Sequence, residues 1–262
     1  MEGIEIFGIR IHPLSKTEFV SFIESNLQNG CQIVQNGVNA SIINEIIKND
    51  SLRQAISSSN LVNIDGTSVL LALRFLGFNP PERVPCPDLA EDILELAERK
   101  NFSVFLLGAK EANLLLSIKK LRHWLPDLKI AGYRNGYFKA EDELEIVDMI
   151  NRANPDILFL GMTSPKKELF VEKYRDSLTA KYFLGVGGYF DILSGLKKRA
   201  PHWVQKLGME WFYRFIQEPH RMWRRYLLGN VKFIMAVFEE KYKKKKFIGY
   251  PNNGNNKYGG RN

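Results

Sequence analysis

The sequence contains no run of roughly 18 consecutive apolar residues, so no helix in it is expected to span a bilayer. Its first residues, MEGIEIFGIR, form neither a basic-then-apolar secretory signal nor an Arg- and Ser-rich transit sequence. The protein is therefore expected to stay where it is made. Cysteine is scarce: Cys31 and Cys86 stand far apart, with no C-x-x-C. That argues against a disulfide framework and for a reducing compartment. His12, His123, His202 and His220 show no metal-ligand spacing. There is no D-x-D, the acidic pair that commonly holds a divalent ion on a nucleotide diphosphate. G-x-S-x-G and G-x-G-x-x-G are also missing, and neither cysteine has a local nucleophile signature. What survives is metal-independent chemistry on an anionic ligand, with no cofactor implied.

What is present is unevenly charged. The formal net charge is +8, yet residues 196–246 hold 14 Lys/Arg against 4 Asp/Glu, while residues 1–195 hold 21 against 25. A mildly acidic body thus carries a strongly basic C-terminal piece. Such asymmetry points to an anionic partner: nucleic acid, acidic lipid or a phosphorylated substrate.

The body reads as strands alternating with helices. IEIFGIRIH alternates apolar and polar residues, and SKTE forms a capping box, Ser15 to Glu18, that opens an amphipathic helix. CQIVQNGVNA leads into the helix SIINEIIKND, and NLVNIDG is a short strand ending at Asp65-Gly66 before the helix TSVLLALRFLG. FSVFLLG, PDILFLG and KYFLGVGG are compact apolar runs ending in glycine, the mark of a buried parallel sheet. The expected fold class is α/β: a Rossmann-like, open, mostly parallel sheet with flanking helices over residues 1–195. A basic helical appendage (196–246) and a polar tail (247–262) follow.

Ligands of such sheets bind outside the carboxyl ends of the strands. That rule selects Asn39, Asp65, Gly108 and the loops 161–168 and 185–191. Gly108 alone signals no more than a turn. GVGG, with Gly187 and Gly188, allows close backbone approach to a ligand, and tight strand–helix packing explains it equally well. Asp65 at a buried strand end is costly to desolvate unless paired or used. Two readings stand side by side, a general base and an Asx turn or helix cap for DGTS. In GMTSPKKE, Pro165 suits the first position of a helix, and Lys166 and Lys167 then sit at the positive end of its dipole. A bound anion would reverse that penalty; the alternative is an exposed lysine pair. Glu141, Asp142 and Glu143 are read as dipole compensation at a helix start.

From Ala200 the pattern is helical with breaks. PHWVQKLGMEWFYRFIQE runs to Pro219, PHRMWRRYLL to Gly229-Asn230, and VKFIMAVFEEKYKKKK to the tail. With successive residues turning by about 100°, Arg221, Arg224 and Arg225 share one face of the middle helix, and Arg214 lies seven residues earlier. Three readings compete: a packed helix with a solvated basic face, a nucleic-acid binder, and an amphipathic surface for anionic lipid.

NIDGTSVLLALRFLG, ERV, FLLGAKE, GYF, DILFLGMTSPKKE, GVGGYFDILSGLKKRAPHWVQKLGMEWFYR and EPHRMWRRYLLGN, in that order, resemble the WecG/TagA/CpsF glycosyltransferases, glycosyltransferase family 26. The resemblance covers about residues 1–232. It implies an inverting, metal-independent transfer of a sugar, of N-acetylmannosamine type or a related hexose, from a UDP-sugar to a polyprenyl-diphosphate-linked saccharide. That reaction serves wall teichoic acid, enterobacterial common antigen or capsule synthesis. The enzyme would be cytoplasmic and peripheral on the inner face of the cell membrane. Asp65 would be the base, Asn39 would lie in the pocket, and Arg83 would contact the substrate or its diphosphate. GVGG would lie against the nucleotide, and Arg214, Arg221 and Arg224 would close over the site and hold the lipid diphosphate. An anionic membrane surface is the expected partner and nucleic acid is not; a homo-oligomer stays open. The non-catalytic nucleic-acid binder is the rival reading. Two departures stand out: SPKKE replaces the frequent S-P-K-Q-E, making residue 167 a lysine, and RVPCPD replaces R-V-T-G-x-D. Both leave the donor sugar open.

Overall fold

The computed structural model describes residues 3–206, 208–223 and 228–247. Its centre is a sheet of six parallel strands, β3 (Ile33–Val38), β4 (Leu61–Ile64), β5 (Ser103–Gly108), β6 (Lys129–Arg134), β7 (Ile157–Gly161) and β8 (Tyr182–Gly185). Their spatial order is β4-β3-β8-β7-β5-β6. Alternate residues of the central strands enter different cores. Leu106, Phe159 and Leu184 pack with α1 (Lys16–Gln28), α5 (Cys86–Lys100) and α6 (Glu111–Trp124). Phe105, Leu158, Leu160 and Phe183 pack with α7 (Glu143–Ala153) and α8 (Lys166–Tyr174) on the opposite face. Burial on both faces is why these strands read as continuous apolar runs. The expected open α/β sheet is present, and the capping box at Ser15 forms as the sequence predicts.

The N-terminal alternation resolves into two strands. β1 (Ile4–Ile6) and β2 (Ile9–Ile11) form a separate antiparallel hairpin. Phe7 (φ 55°) and Gly8 (φ 74°) both take left-handed conformations at its two-residue turn, as the right-handed twist of a tight hairpin requires. His12 then bonds Val62 in β4 both ways: its N–H donates to the Val62 carbonyl, and its Nδ1 accepts from the Val62 N–H.

Two further boundaries differ from expectation. The run after Ala200 breaks at Gly208 (φ +71°), giving α10 (His202–Lys206) and α11 (Glu210–Gln217) in place of one helix. Pro165, preceded by a cis peptide bond, takes the N-cap of α8, so the helix starts at Lys166. Pro219 does open α12 (Pro219–Trp223), and α13 (Gly229–Phe247) follows. α13 lies on α2 (Ala40–Ile46), where the Asn44 side chain donates to the Gly229 carbonyl at 2.7 Å. Phe233, Ala236 and Val237 join a buried cluster with the hairpin, α2, α3 (Asp50–Ser57) and α4 (Thr67–Phe75).

A buried relay of side chains crosses three strands. Tyr182 on β8 donates to Gln35 Oε1 on β3 (2.7 Å), Gln35 Nε2 donates to Asn63 Oδ1 on β4 (3.1 Å), and Asn63 Nδ2 donates to the Val84 carbonyl (2.6 Å). Burial pushes the Tyr182 pKa up and keeps the phenol a donor. The relay fixes the loop 83–86 against the sheet. Tyr182→Phe leaves Gln35 Oε1 without its donor and is expected to cost about 1–3 kcal/mol, read as a lowered urea midpoint at unchanged slope.

Candidate functional site

Asp65 follows β4 at the carboxyl edge of the sheet, half-buried. Its Oδ1 accepts from the Cys86 backbone N–H at 2.8 Å, and its Oδ2 accepts from Asn39 Nδ2 at 3.1 Å. Asn39 is itself fixed, because its Oδ1 caps α2 by accepting from the N–H groups of Ser41 and Ile42. Asp65 does not cap the helix that follows it: the N-cap of α4 is Gly66, with no side-chain cap bond. The helix-cap reading of DGTS therefore does not hold. Instead, the carboxylate satisfies an N–H in the first turn of α5, a favourable place for negative charge. Two of its roughly four lone-pair directions are used, which leaves acceptor capacity for a ligand.

These residues open into a cavity of about 510 Å³, within the range of small-molecule sites. Asn39, Asp65 and Arg83, all sequence candidates, line it together with Thr67, Ser68 and Glu210. Arg83 Nη1 bonds Glu210 Oε2 at 3.2 Å, and the side chains are 17% and 12% exposed, so α11 is tied to the loop after α4. Sequence reasoning missed Glu210, whose partner lies 127 positions away. Asn63 and Gln35 were visible as polar residues inside apolar strands, although their partners were not.

Lys166, Lys167, Gly187 and Gly188 are not among the residues that line this cavity. Lys166 Nζ donates to the carbonyls of Gly136 and Phe138 and sits 3.4 Å from the centre of the Phe138 ring. Lys167 is 8% exposed and pairs with buried Glu168, so an exposed lysine pair is not what forms. The Lys167 stem crosses Gly185: a Cβ there would lie 2.7 Å from Lys167 Cε. Gly187 (φ +53°) and Gly188 have open space beside their Cα atoms. Arg224 lies outside the described residues. Of Arg214 and Arg221 only the backbone is described, on α11 and α12. Among the described residues no group of three His, Cys, Asp or Glu is placed to hold a metal ion, and no helix is long and apolar enough to cross a membrane.

Cys86 explains one departure from the family pattern. Its thiol is buried over Gly37, where a Cβ would fall 2.2 Å from Sγ and 3.1 Å from Asp65 Cβ. Burial, then the Asp65 charge, push the thiol pKa up, so it is no thiolate nucleophile. Gly37→Ala is expected to cost about 1–3 kcal/mol by overpacking. Adding Cys86→Gly should restore most of that loss. Denaturant midpoints of the four proteins in the cycle check it, and additive losses would refute the contact.

Similarity to known proteins agrees with this geometry. The model of the Glycosyl transferase WecG/TagA/CpsF family matches residues 4–247. A Bacillus subtilis (strain 168) protein, N-acetylglucosaminyldiphosphoundecaprenol N-acetyl-beta-D-mannosaminyltransferase, is 34% identical over 236 residues, which cover 90% of this chain and 91% of that protein. A Bacillus spizizenii protein of the same name is 34% identical over 226 residues, covering 85% and 86%. The chain therefore belongs to the WecG/TagA/CpsF glycosyltransferase family, and the protein is a glycosyltransferase.

Proposed function

We propose that the protein transfers a sugar from a UDP-sugar to a saccharide carried on a polyprenyl diphosphate, with inversion and without an essential metal. The observation that carries this reading is the Asp65 carboxylate, held at the mouth of the sheet by Asn39 and the Cys86 N–H. The acceptor hydroxyl gives its proton to Asp65 as its oxygen bonds the anomeric carbon. The bond from that carbon to the UDP oxygen breaks, and the electron pair leaves with UDP. Arg83 and the uncapped first turn of α4, where Gly66, Thr67 and Ser68 line the cavity, are suited to the charge of the acceptor's diphosphate. The donor is placed at the neighbouring strand ends, against Gly187 and Gly188. The relatives' names support the acceptor class and an N-acetylmannosamine-type donor. Wall polymer synthesis follows as the setting. Membership of an enzyme family sets aside the non-catalytic nucleic-acid reading.

The basic appendage is placed against the anionic inner face of the cell membrane. Trp203 (66% exposed), Met235 (59%) and Tyr242 (65%) supply apolar and interfacial side chains on α10 and α13 for that contact. Binding to vesicles containing anionic lipid is expected to weaken as salt rises; salt-independent binding, or none, would remove this placement.

Asp65→Asn is expected to lower turnover by about 10²–10⁴-fold with a short-chain lipid-diphosphate N-acetylglucosamine acceptor and UDP-N-acetylmannosamine, followed by mass spectrometry. The asparagine keeps an acceptor for the Cys86 N–H and loses the bond from Asn39, so a modest loss of stability, about 1 kcal/mol, accompanies the lower turnover. Turnover within a few-fold of wild type would show that Asp65 is not the base.

A further inference from the structure

The cavity that contains Asp65 does not end at its polar groups. It continues between α4 and α13, and its wall changes chemistry on the way. At the strand end it offers Asn39, Asp65 and Arg83; farther along it is walled by Leu71 and Phe75 of α4 and by Ile234 and Phe238 of α13. From Thr67 to Phe75 the α4 wall rises roughly 12 Å. At the far end the rings of Phe75 and Phe238 meet edge to face at 5.5 Å, and Lys241 Nζ lies 3.6 Å from the centre of the Phe75 ring. Phe233 and Val237, on the same stretch of α13, are buried and hold this wall to the body. The trench is therefore built into the fold and is not a gap between loose parts.

Leu71, Phe75, Ile234 and Phe238 are 57%, 46%, 52% and 46% exposed. A contiguous apolar lining left open in this way marks a binding surface. Its continuity with a polar, phosphate-suited end restricts the occupant to a molecule with an anionic head and an apolar tail. We infer that the trench between α4 and α13 binds the first isoprene units of the lipid-linked acceptor, the diphosphate lying at Arg83 and the start of α4. The inference rests on the proposed reaction for the identity of its ligand and adds a second recognition element to it. The enzyme reads the lipid directly, before the chain passes Phe75 and Phe238 into the bilayer. A soluble acceptor with the same sugar and diphosphate but no isoprenoid loses affinity while keeping its turnover at saturation, because the tail is far from the reacting atoms.

Binding to the full-length protein in membrane-free buffer tests this. The probes are farnesyl diphosphate, kept below its micellar concentration, and inorganic diphosphate. Farnesyl diphosphate should bind at least about tenfold more tightly, equivalent to burying roughly two methylene groups. Leu71→Asp and Ile234→Asp, at exposed positions that tolerate a polar side chain, should remove that preference and leave inorganic diphosphate binding unchanged. Ile216→Asp, on exposed α11 surface outside the trench, should alter neither. Equal affinity for the two probes overturns the inference. So does a loss as large in Ile216→Asp as in the trench variants, which would indicate adsorption to apolar surface in general. A dimer in sedimentation that Leu71→Asp dissociates, with farnesyl preference intact, would assign the trench to a second copy of the chain. The proposed reaction fails separately: farnesyl selectivity without sugar transfer keeps the trench and discards the reaction, whereas transfer indifferent to tail and trench variants does the reverse.

Discussion

The site depends on one constraint, the chain of buried hydrogen bonds from Tyr182 through Gln35 and Asn63 to the Val84 carbonyl. Parallel strands bring their carboxyl ends together but do not fix the loops that leave them. Here three adjacent strands contribute one polar side chain each, and the last of them grips the loop carrying Arg83 and Cys86. Cys86 in turn presents its N–H to Asp65. An apolar core would be as stable, but it would leave the loop free to slide. Partners of fixed geometry make its position discrete. The Asp65 carboxylate is thus held from both sides, by a helix cap at Asn39 and by a helix start at Cys86.

The same loop connects body and appendage. Arg83, 17% exposed, faces a ligand-suited cavity and is already engaged by Glu210. An ion pair so placed offsets the cost of holding a guanidinium in a partly dry site before substrate arrives. The cation's orientation in the cavity is thereby set, and any anionic ligand would have to share the cation with a carboxylate. Lys167 shows the same economy at the neighbouring strand ends. Its charge is matched internally by Glu168, and its stem covers Gly185. Replacing the frequent glutamine by lysine has therefore not placed a free cation in the site.

Much of the fold was legible because burial writes a strong pattern: runs such as FSVFLLG and PDILFLG admit little but central parallel strands. The hairpin was legible in principle. Ile4 and Ile6 occupy even positions and Ile9 and Ile11 odd ones, so a single strand would send the pairs to opposite faces; the change of parity is the trace of a two-residue turn. β6 left a weak signal because none of its residues is fully buried, unlike those of β4 at the other edge of the sheet. Asp65 and Asn39 stood out by their place at strand ends, whereas Arg83 was reached only through resemblance to a family. Glu210 could not be found in advance, since a contact across 127 positions has no local signature. Local rules also misplaced the lysines of the α8 start, whose partners are a neighbouring side chain and carbonyls some 30 positions away.

The docking of α13 on α2 has a consequence in time. The cavity is closed by residues as far apart in the chain as Asn39 and Phe238, and the Asn44–Gly229 bond spans 185 positions. Contacts of such separation form late, after shorter-range pairing has removed most of the chain's freedom. During synthesis the sheet and Asp65 can be in place while the wall that completes the cavity is still inside the ribosome. The protein therefore completes this cavity last, and a nascent chain lacks the wall that α13 supplies.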